Sequence, residues 1–484
     1  MTQGRAFVVL DVGKTLTKLS LWDRAGTLLE RRTRTNARVD AGAYLALDAA
    51  GIDDWLAGSL ADFAQCADIG AIIPVSHGAA AAVIRDGRLA CAPMDYETPI
   101  PAVVREAYDS LRDAFAETGS PALPQGLNLG VQLYWLALLH PLLYAPGVQI
   151  LPWAQYWAWR LSGVAAAEVT SLGCHTDLWR PVAARPSTLA ERCGWARCLP
   201  PLHAAADVLG PLTPYWVSRA ALPGDTQVHC GLHDSNAALL AARGFAEIAE
   251  QESTVLSTGT WFVAMRTPAP GLTVDIAALP AVRDCLVNVD AYGTPVPSSR
   301  FMGGREIELL TGIDTRRVDI KPDQPALLAA VPAVLASGGR VLPTLAPGCG
   351  PFPNARGHWI DRPVDPAARR AAVCLYAALL ADASLDLIGA RERILIEGRF
   401  AEAQVFARGL ASLRSGTRVY TSNVDNDVSY GALRLLAADL PPSAALQEVL
   451  PLDGDLHEYA QTWRREAGRC GRVAGIGYRP ELTG

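Results

Sequence analysis

The feature that most constrains this chain is a short phrase that occurs twice in altered form: Asp11-Val12-Gly13-Lys14-Thr15 near the start, and Ser257-Thr258-Gly259-Thr260 just past the middle. Each follows an apolar run that reads as a strand, Phe7 to Leu10 and Thr254 to Leu256, and each leads straight into a second strand-like run. The two glycines are separated by about half of the 484 residues, which predicts a duplicated domain with one glycine turn per half. Length agrees, because a chain of this size outgrows a single core and two domains of roughly 240 residues are expected, here 1–243 and 244–484.

A strand, glycine turn and strand present backbone N–H groups and threonine hydroxyls at the tip, a concavity that favours anions. Two such tips facing each other across a cleft would grip a polyphosphate. Glycine is expected there for positive φ and for close approach to phosphate oxygens. Lys14 and Lys18 add positive charge, and Asp11 adds a carboxylate, which suits a magnesium ion between acid and phosphate.

Half of the residues are hydrophobic and 19% are charged, the balance of a compact fold with ample core. A net charge of −6 leaves no electrostatic footprint for nucleic acid. Phe7 to Leu10 is too short for a signal-peptide core and no run approaches a membrane span, so a cytoplasmic location is expected. The 10 cysteines are scattered and expected to be reduced; neither Cys193 and Cys198 nor Cys174-His175 completes a zinc pattern.

Along the chain, residues 6–35 read as a three-stranded meander, 42–66 as a helix, and Ile69 to Pro74 as a buried strand leading to Ser76-His77-Gly78. A hairpin of Ala82 to Ile84 and Leu89 to Met94 ends at Asp95-Tyr96, and 99–224 is mainly helical. Trp135, Trp153, Trp157, Trp159 and Trp179 crowd that region; sugar stacking and core filling both use tryptophan, and core filling is the expectation for most of them. In Gly231-Leu232-His233-Asp234-Ser235-Asn236-Ala237-Ala238, a strand from about Thr226 meets a helix with an aspartate in its first turn, which alone reads as an N-cap. A long helix over 366–390, a strand Arg393 to Ile396 ending in Glu397-Gly398-Arg399-Phe400, a helix over 401–413, a strand Val419 to Thr421 and a helix beginning near Asp425-Asn426-Asp427 complete the second half.

In order and spacing, these phrases resemble the FGGY family of carbohydrate kinases, within the actin-like ATPase superfamily, over nearly the whole chain. The resemblance implies an α/β fold of two actin-like, ribonuclease H-like domains around a central cleft, and ATP-dependent transfer of phosphate to a sugar hydroxyl. It implies that Asp234 accepts the proton of that hydroxyl, and that Asp11 with Asp234 holds magnesium, directly or through water. Asp11, Gly13, Lys14, Thr15, Lys18, Thr258, Gly259, Thr260, Gly398, Arg399 and Asn426 would bind the nucleotide. His77, Gly78, Asp95, Tyr96, His233 and Asp234 would meet the sugar. His233 before Asp234 is similar to kinases of deoxyhexuloses such as L-rhamnulose and L-fuculose, with xylulose as a further ketose. Glu397, Arg399 and Asn426 depart from the family pattern, and the arginine-glutamine pair of glycerol kinases is missing near Ser76-His77. The implied partner is a small sugar, with no nucleic acid or membrane and room for a homodimer. At a helix N-terminus, Asp234 is expected to have a lowered pKa. A non-catalytic sensor would need the hairpins without Asp234, and an actin-like ATPase would use water as acceptor.

Overall fold

The computed structural model describes residues 5–473 apart from 142, 250, 316, 423–427 and 443–444. The first half is built on β1 (Ala6–Val12), β2 (Leu16–Trp22), β3 (Leu28–Thr35), α1 (Ala49–Cys66), β4 (Ile69–Ser76), β5 (Val208–Pro211), β6 (Gln227–His229), β7 (Leu232–His233) and α2 (Asp234–Ala242). The second uses β8 (Ser253–Thr258), β9 (Phe262–Thr267), β10 (Cys285–Val289), β11 (Pro295–Phe301), α3 (Pro366–Leu387), β12 (Arg393–Gly398), α4 (Gln404–Leu413), β13 (Arg418–Ser422), α5 (Val428–Leu436) and β14 (Leu446–Glu448).

One sheet runs β5-β6-β4-β1-β2-β3, with β7 also on β4, and the other runs β10-β11-β9-β8-β12-β13-β14. Within them β3-β2-β1-β4-β6 and β11-β9-β8-β12-β13 repeat one pattern, two antiparallel pairings followed by two parallel ones. The expected α/β architecture of two actin-like halves is therefore present. β1 is central and buried on both faces, whereas β3 alternates exposed and half-buried residues and carries Arg31, Arg32 and Arg34. Charge on an edge strand discourages pairing with another chain.

Local chemistry sets the helix limits. α1 begins where the Asp48 side chain accepts the Gly51 N–H, so the helix expected from 42 starts later, behind the short strands Arg38–Asp40 and Leu45–Leu47. α3 starts with Pro366 after Asp365, whose carboxylate accepts from the Ala368 N–H. The hairpin expected to reach Met94 keeps only Ala81–Arg85 and Arg88–Leu89. Trp135, Trp153, Trp157 and Trp179 are buried, as the core reading requires.

The halves are tied together. Val287 of β10 donates its N–H to the Gly119 carbonyl at 2.8 Å. α5 lies against α2, and Tyr430, Leu433 and Leu440 share a core with Val9, Ile73 and Leu232 of the first sheet and Leu240 of α2. At the crossing, Gly431 faces the Ala237 carbonyl with no room for a Cβ. Among the described residues, no helix is long and apolar enough to cross a membrane.

Candidate active site

Register brings three chain ends together. Val12 of β1 and His233 of β7 both pair with Ser76 of β4, so the turn at Gly13, the segment at His77 and the start of α2 at Asp234 leave the sheet side by side. Ligand crevices of α/β sheets form at such carboxyl ends. The first tip is fixed from beside: Thr17 Oγ1 donates to Asn36 Oδ1, Asn36 Nδ2 donates to the Gly13 carbonyl, and the Asn36 N–H donates to the Thr15 carbonyl, each at 2.8 Å. Buried Asp11 lies 3.5 Å from Lys18 Nζ. Gly13 does not take the expected positive φ; its need is space, because a Cβ would sit 2.9 Å from the Leu16 carbonyl oxygen.

Lys14 turns toward the expected sugar residues. Its ammonium pairs with the fully buried Asp95 and lies 4.9 Å from the centre of the Tyr96 ring. His77 packs edge-on against Tyr96 with ring centres 5.6 Å apart. Burial, then the Lys14 charge and His233, push the His77 pKa down to about 3, so the ring is neutral. Both its nitrogens are buried without a hydrogen-bond partner, which leaves one donor and one acceptor for a ligand hydroxyl. Gly78 makes room: a Cβ there would lie 2.6 Å from Cys174 Sγ and 2.8 Å from His233 Nε2.

His233 is also neutral, its pKa held down to about 4 by burial. Asn236 Nδ2 approaches its Nδ1 at 3.3 Å, which assigns the ring proton to Nε2, 3.2 Å from Asp234 Oδ1. The capping reading of Asp234 fails: His233 occupies the cap position, and besides His233 the Asp234 carboxylate takes the N–H (2.6 Å) and hydroxyl (3.3 Å) of adjacent Ser235. The expected lowering of its pKa fails as well. Loss of water in the cleft raises it to about 6, against the pull of the Ser235 bonds and Lys18. The side chain still keeps 29% of its surface accessible.

At the second tip, Thr258 pairs with Gly398 of β12. The Thr258 hydroxyl is committed to structure, donating to the Glu397 carbonyl at 2.5 Å and accepting from the Phe400 N–H at 3.0 Å. The hydroxyl expected to meet phosphate is thus already bonded within the protein. Gly259 has no positive φ either, and a Cβ there would meet nothing nearer than 3.8 Å, while Thr260 is exposed. Gly398 does require glycine, with φ +81° and a Cβ position 2.5 Å from the Thr258 carbonyl oxygen. Arg399 Nη1 donates to Thr315 Oγ1 at 2.9 Å, and Glu397 accepts from Ser257, which gives the two departures from the family pattern local partners. Asn426 lies outside the described residues.

Three contributors were not singled out from the sequence. Asn236 is buried with Oδ1 unpartnered two residues past Asp234. Arg300 of β11, held by Asp284 at 2.9 Å, has its guanidinium 5.0 Å from the Trp261 ring centre. It also helps burial lower the pKa of His175, in the first half, to about 4. Arg300 and His175 carry no local sign because they act through partners far along the chain, whereas Asn236 meets His233 within one helical turn.

The duplicated actin-like fold is shared with solved carbohydrate kinases. A carbohydrate kinase from Novosphingobium aromaticivorans is 58% identical over 95% of this chain and 100% of its own, with a TM-score of 0.92. The C-terminal domain model of carbohydrate kinase FGGY matches residues 250–444. Ligand-bound xylulose kinase from Lactobacillus acidophilus (15% identity, TM-score 0.76, 98% of this chain and 99% of that one) shares the fold. So does glycerol kinase from Plasmodium falciparum with ADP (11% identity, TM-score 0.75, 96% and 98%). No curated protein matches the chain at a significant level. The chain belongs to the FGGY family of carbohydrate kinases.

Proposed function

We propose that this kinase transfers the γ-phosphoryl group of ATP to a hydroxyl of a small ketose, with L-rhamnulose, L-fuculose and xylulose as the leading candidates. Asp234 carries the reading: an ionisable carboxylate, raised in pKa and open on one side, at the same strand ends as His77, a neutral histidine with two unpartnered nitrogens. As the sugar oxygen bonds to phosphorus, the bond to ADP breaks and the hydroxyl proton passes to Asp234. Phosphoryl transfer asks mainly for positioning and for neutralised charge, so a modest base suffices. In this reading His77, Gly78, Asp95, Tyr96 and His233 meet the sugar. The buried, neutral rings of His77 and His233 fit hydroxyl recognition.

The nucleotide would lie against Gly13, Lys14, Thr15, Lys18, Gly259, Thr260, Gly398 and Arg399. Open backbone at Gly259 suits phosphate oxygens. The described residues hold no group of three or more metal-ligating side chains. Magnesium needs only one or two carboxylates when phosphates and water supply the rest, and Asp11 with Asp234 meets that need. When bound, the ion would neutralise charge on the phosphates. In this reading residues 1–243 carry acceptor and base and 244–484 carry the nucleotide, and the enzyme works in the cytoplasm. The test is ADP release across a panel of ketoses, polyols and deoxyketoses. Release without sugar supports an ATPase, and binding without release supports a sensor.

A further inference from the structure

The strand that delivers Asp234 is broken just before it. β6 ends at His229 and β7 holds only Leu232 and His233, with Cys230 and Gly231 between them. Gly231, at φ +79°, presses so closely on the Pro74 carbonyl that no Cβ would fit. Two residues of pairing with β4 are little to fix the start of α2. Side chains from elsewhere do the fixing. Gln155 Nε2 donates to the carbonyls of Cys230 at 3.2 Å and Gly231 at 3.0 Å. The His233 N–H donates to Thr170 Oγ1 at 2.9 Å, and the Thr170 hydroxyl donates to Glu168 Oε2 at 2.6 Å. Fully buried Glu168 also accepts the N–H groups of Thr170 and Ser171, at 2.9 and 3.1 Å, and the Ser171 hydroxyl at 3.3 Å. A hydroxyl has one proton; with that proton on the carboxylate, its lone pair is free for His233.

We propose that Glu168 and Thr170 are positioning residues, a buried latch that fixes the main chain at His233 and so aims the Asp234 carboxylate at the acceptor hydroxyl. The proposal rests on the reading of Asp234 as the base. Neither residue hydrogen-bonds to Asp234 or lies among the groups assigned to the sugar. His77 and Tyr96 are carried by β4 and the segments after it, so they stay in place when the latch opens. His233 shifts together with Asp234, so opening the latch costs turnover far more than sugar affinity.

The experiment uses full-length enzyme and the sugar that gives the fastest ADP release. Thr170→Val keeps the volume and removes both hydroxyl bonds; we expect kcat to fall about tenfold, since misplacement by a fraction of an ångström is costly, with the sugar KM within about twofold. Thr170→Ser, which restores the hydroxyl, returns kcat to near the wild-type value. In an Asp234→Asn background, Thr170→Val causes no further loss, because residues acting as a unit are not additive. Glu168→Gln gives the same split between kcat and KM and serves if circular dichroism shows the valine variant unfolded. Unchanged kcat in both variants, a loss confined to KM, or an equal further loss on top of Asp234→Asn overturns the latch. Wild-type enzyme that releases no ADP with any sugar overturns the proposed function, and the latch with it.

Discussion

The two hairpin tips hang from the same order of strands and differ in what surrounds them. Around the first, Lys14 and Arg38 meet Asp95 and Glu97, and Lys18 meets Asp11, so opposite charges are packed into a half-buried space. Around the second, Gly259 and Thr260 stand clear, and the one buried hydroxyl, on Thr258, is spent on joining β8 to β12. Duplication kept the backbone and let the side chains diverge. A charged, enclosed tip suits a place where phosphate, acceptor and base must be held in register. An open backbone tip suits the phosphates of a nucleotide that enters and leaves.

The largest effect expected on this comparison is at Asp234. Asp234→Asn should lower kcat by at least about a hundredfold, the usual contribution of acid–base catalysis, while sugar binding survives. The base works only as the carboxylate, and its pKa is raised to about 6. Activity should therefore fall as pH drops through about 6, and that limb should be absent from the residual activity of the asparagine variant. A wild-type profile flat from pH 5 to pH 7 would break the assignment, with the range chosen to bracket the raised value.

Next comes the ion pair of the first tip. Lys14→Met leaves the buried Asp95 carboxylate with Arg38 at 3.7 Å as its remaining cation near that oxygen. Breaking a buried pair costs about 3–5 kcal/mol, and the standby arginine should reduce this to about 2 kcal/mol, read from urea unfolding. A variant as stable as wild type would show that the first tip does not depend on its charge. At the second tip the expected cost is steric instead. Gly398→Ala places a Cβ at positive φ against the Thr258 carbonyl and should lose about 1–3 kcal/mol, the usual cost of a strained backbone. Because Thr258 adjoins Gly259, the nucleotide KM should rise with it, and unchanged stability would remove glycine's role there.

The duplicated hairpins and the strands ending at Ser76 and Gly398 were legible because apolar runs bounded by glycine and polar residues carry their own period. Packing between distant segments was not. The direction of the Asp234 pKa turned on burial beneath residues brought in from several segments, which outweighed the helix N-terminus. The Lys14–Asp95 pair joins residues 81 positions apart, so nothing in the hairpin alone marks it. The packing of Tyr430 and Leu433 into the first sheet's core had no local sign, because such a helix face fits any nearby core. Positive φ at Gly13 and Gly259 was an inference from residue type. The turn at Gly13 is set instead by Asn36 and Thr17.

Gly259→Ala carries the smallest effect on the fold and the sharpest on the comparison. With no positive φ to violate and nothing within 3.8 Å of the added methyl group, the variant should unfold within about 0.5 kcal/mol of wild type, as unconstrained substitutions do. The methyl group would instead occupy the space where phosphate oxygens are proposed to approach the backbone. We expect the ATP KM to rise about tenfold, roughly 1.4 kcal/mol of lost binding, with the sugar KM unchanged. The matching change at the first tip, Gly13→Ala, should behave differently, because its methyl group meets the Leu16 carbonyl oxygen at 2.9 Å and must strain the hairpin. Gly259→Ala with a normal ATP KM would mean that the second tip does not meet the nucleotide, and the division of labour between the two hairpins would fail there.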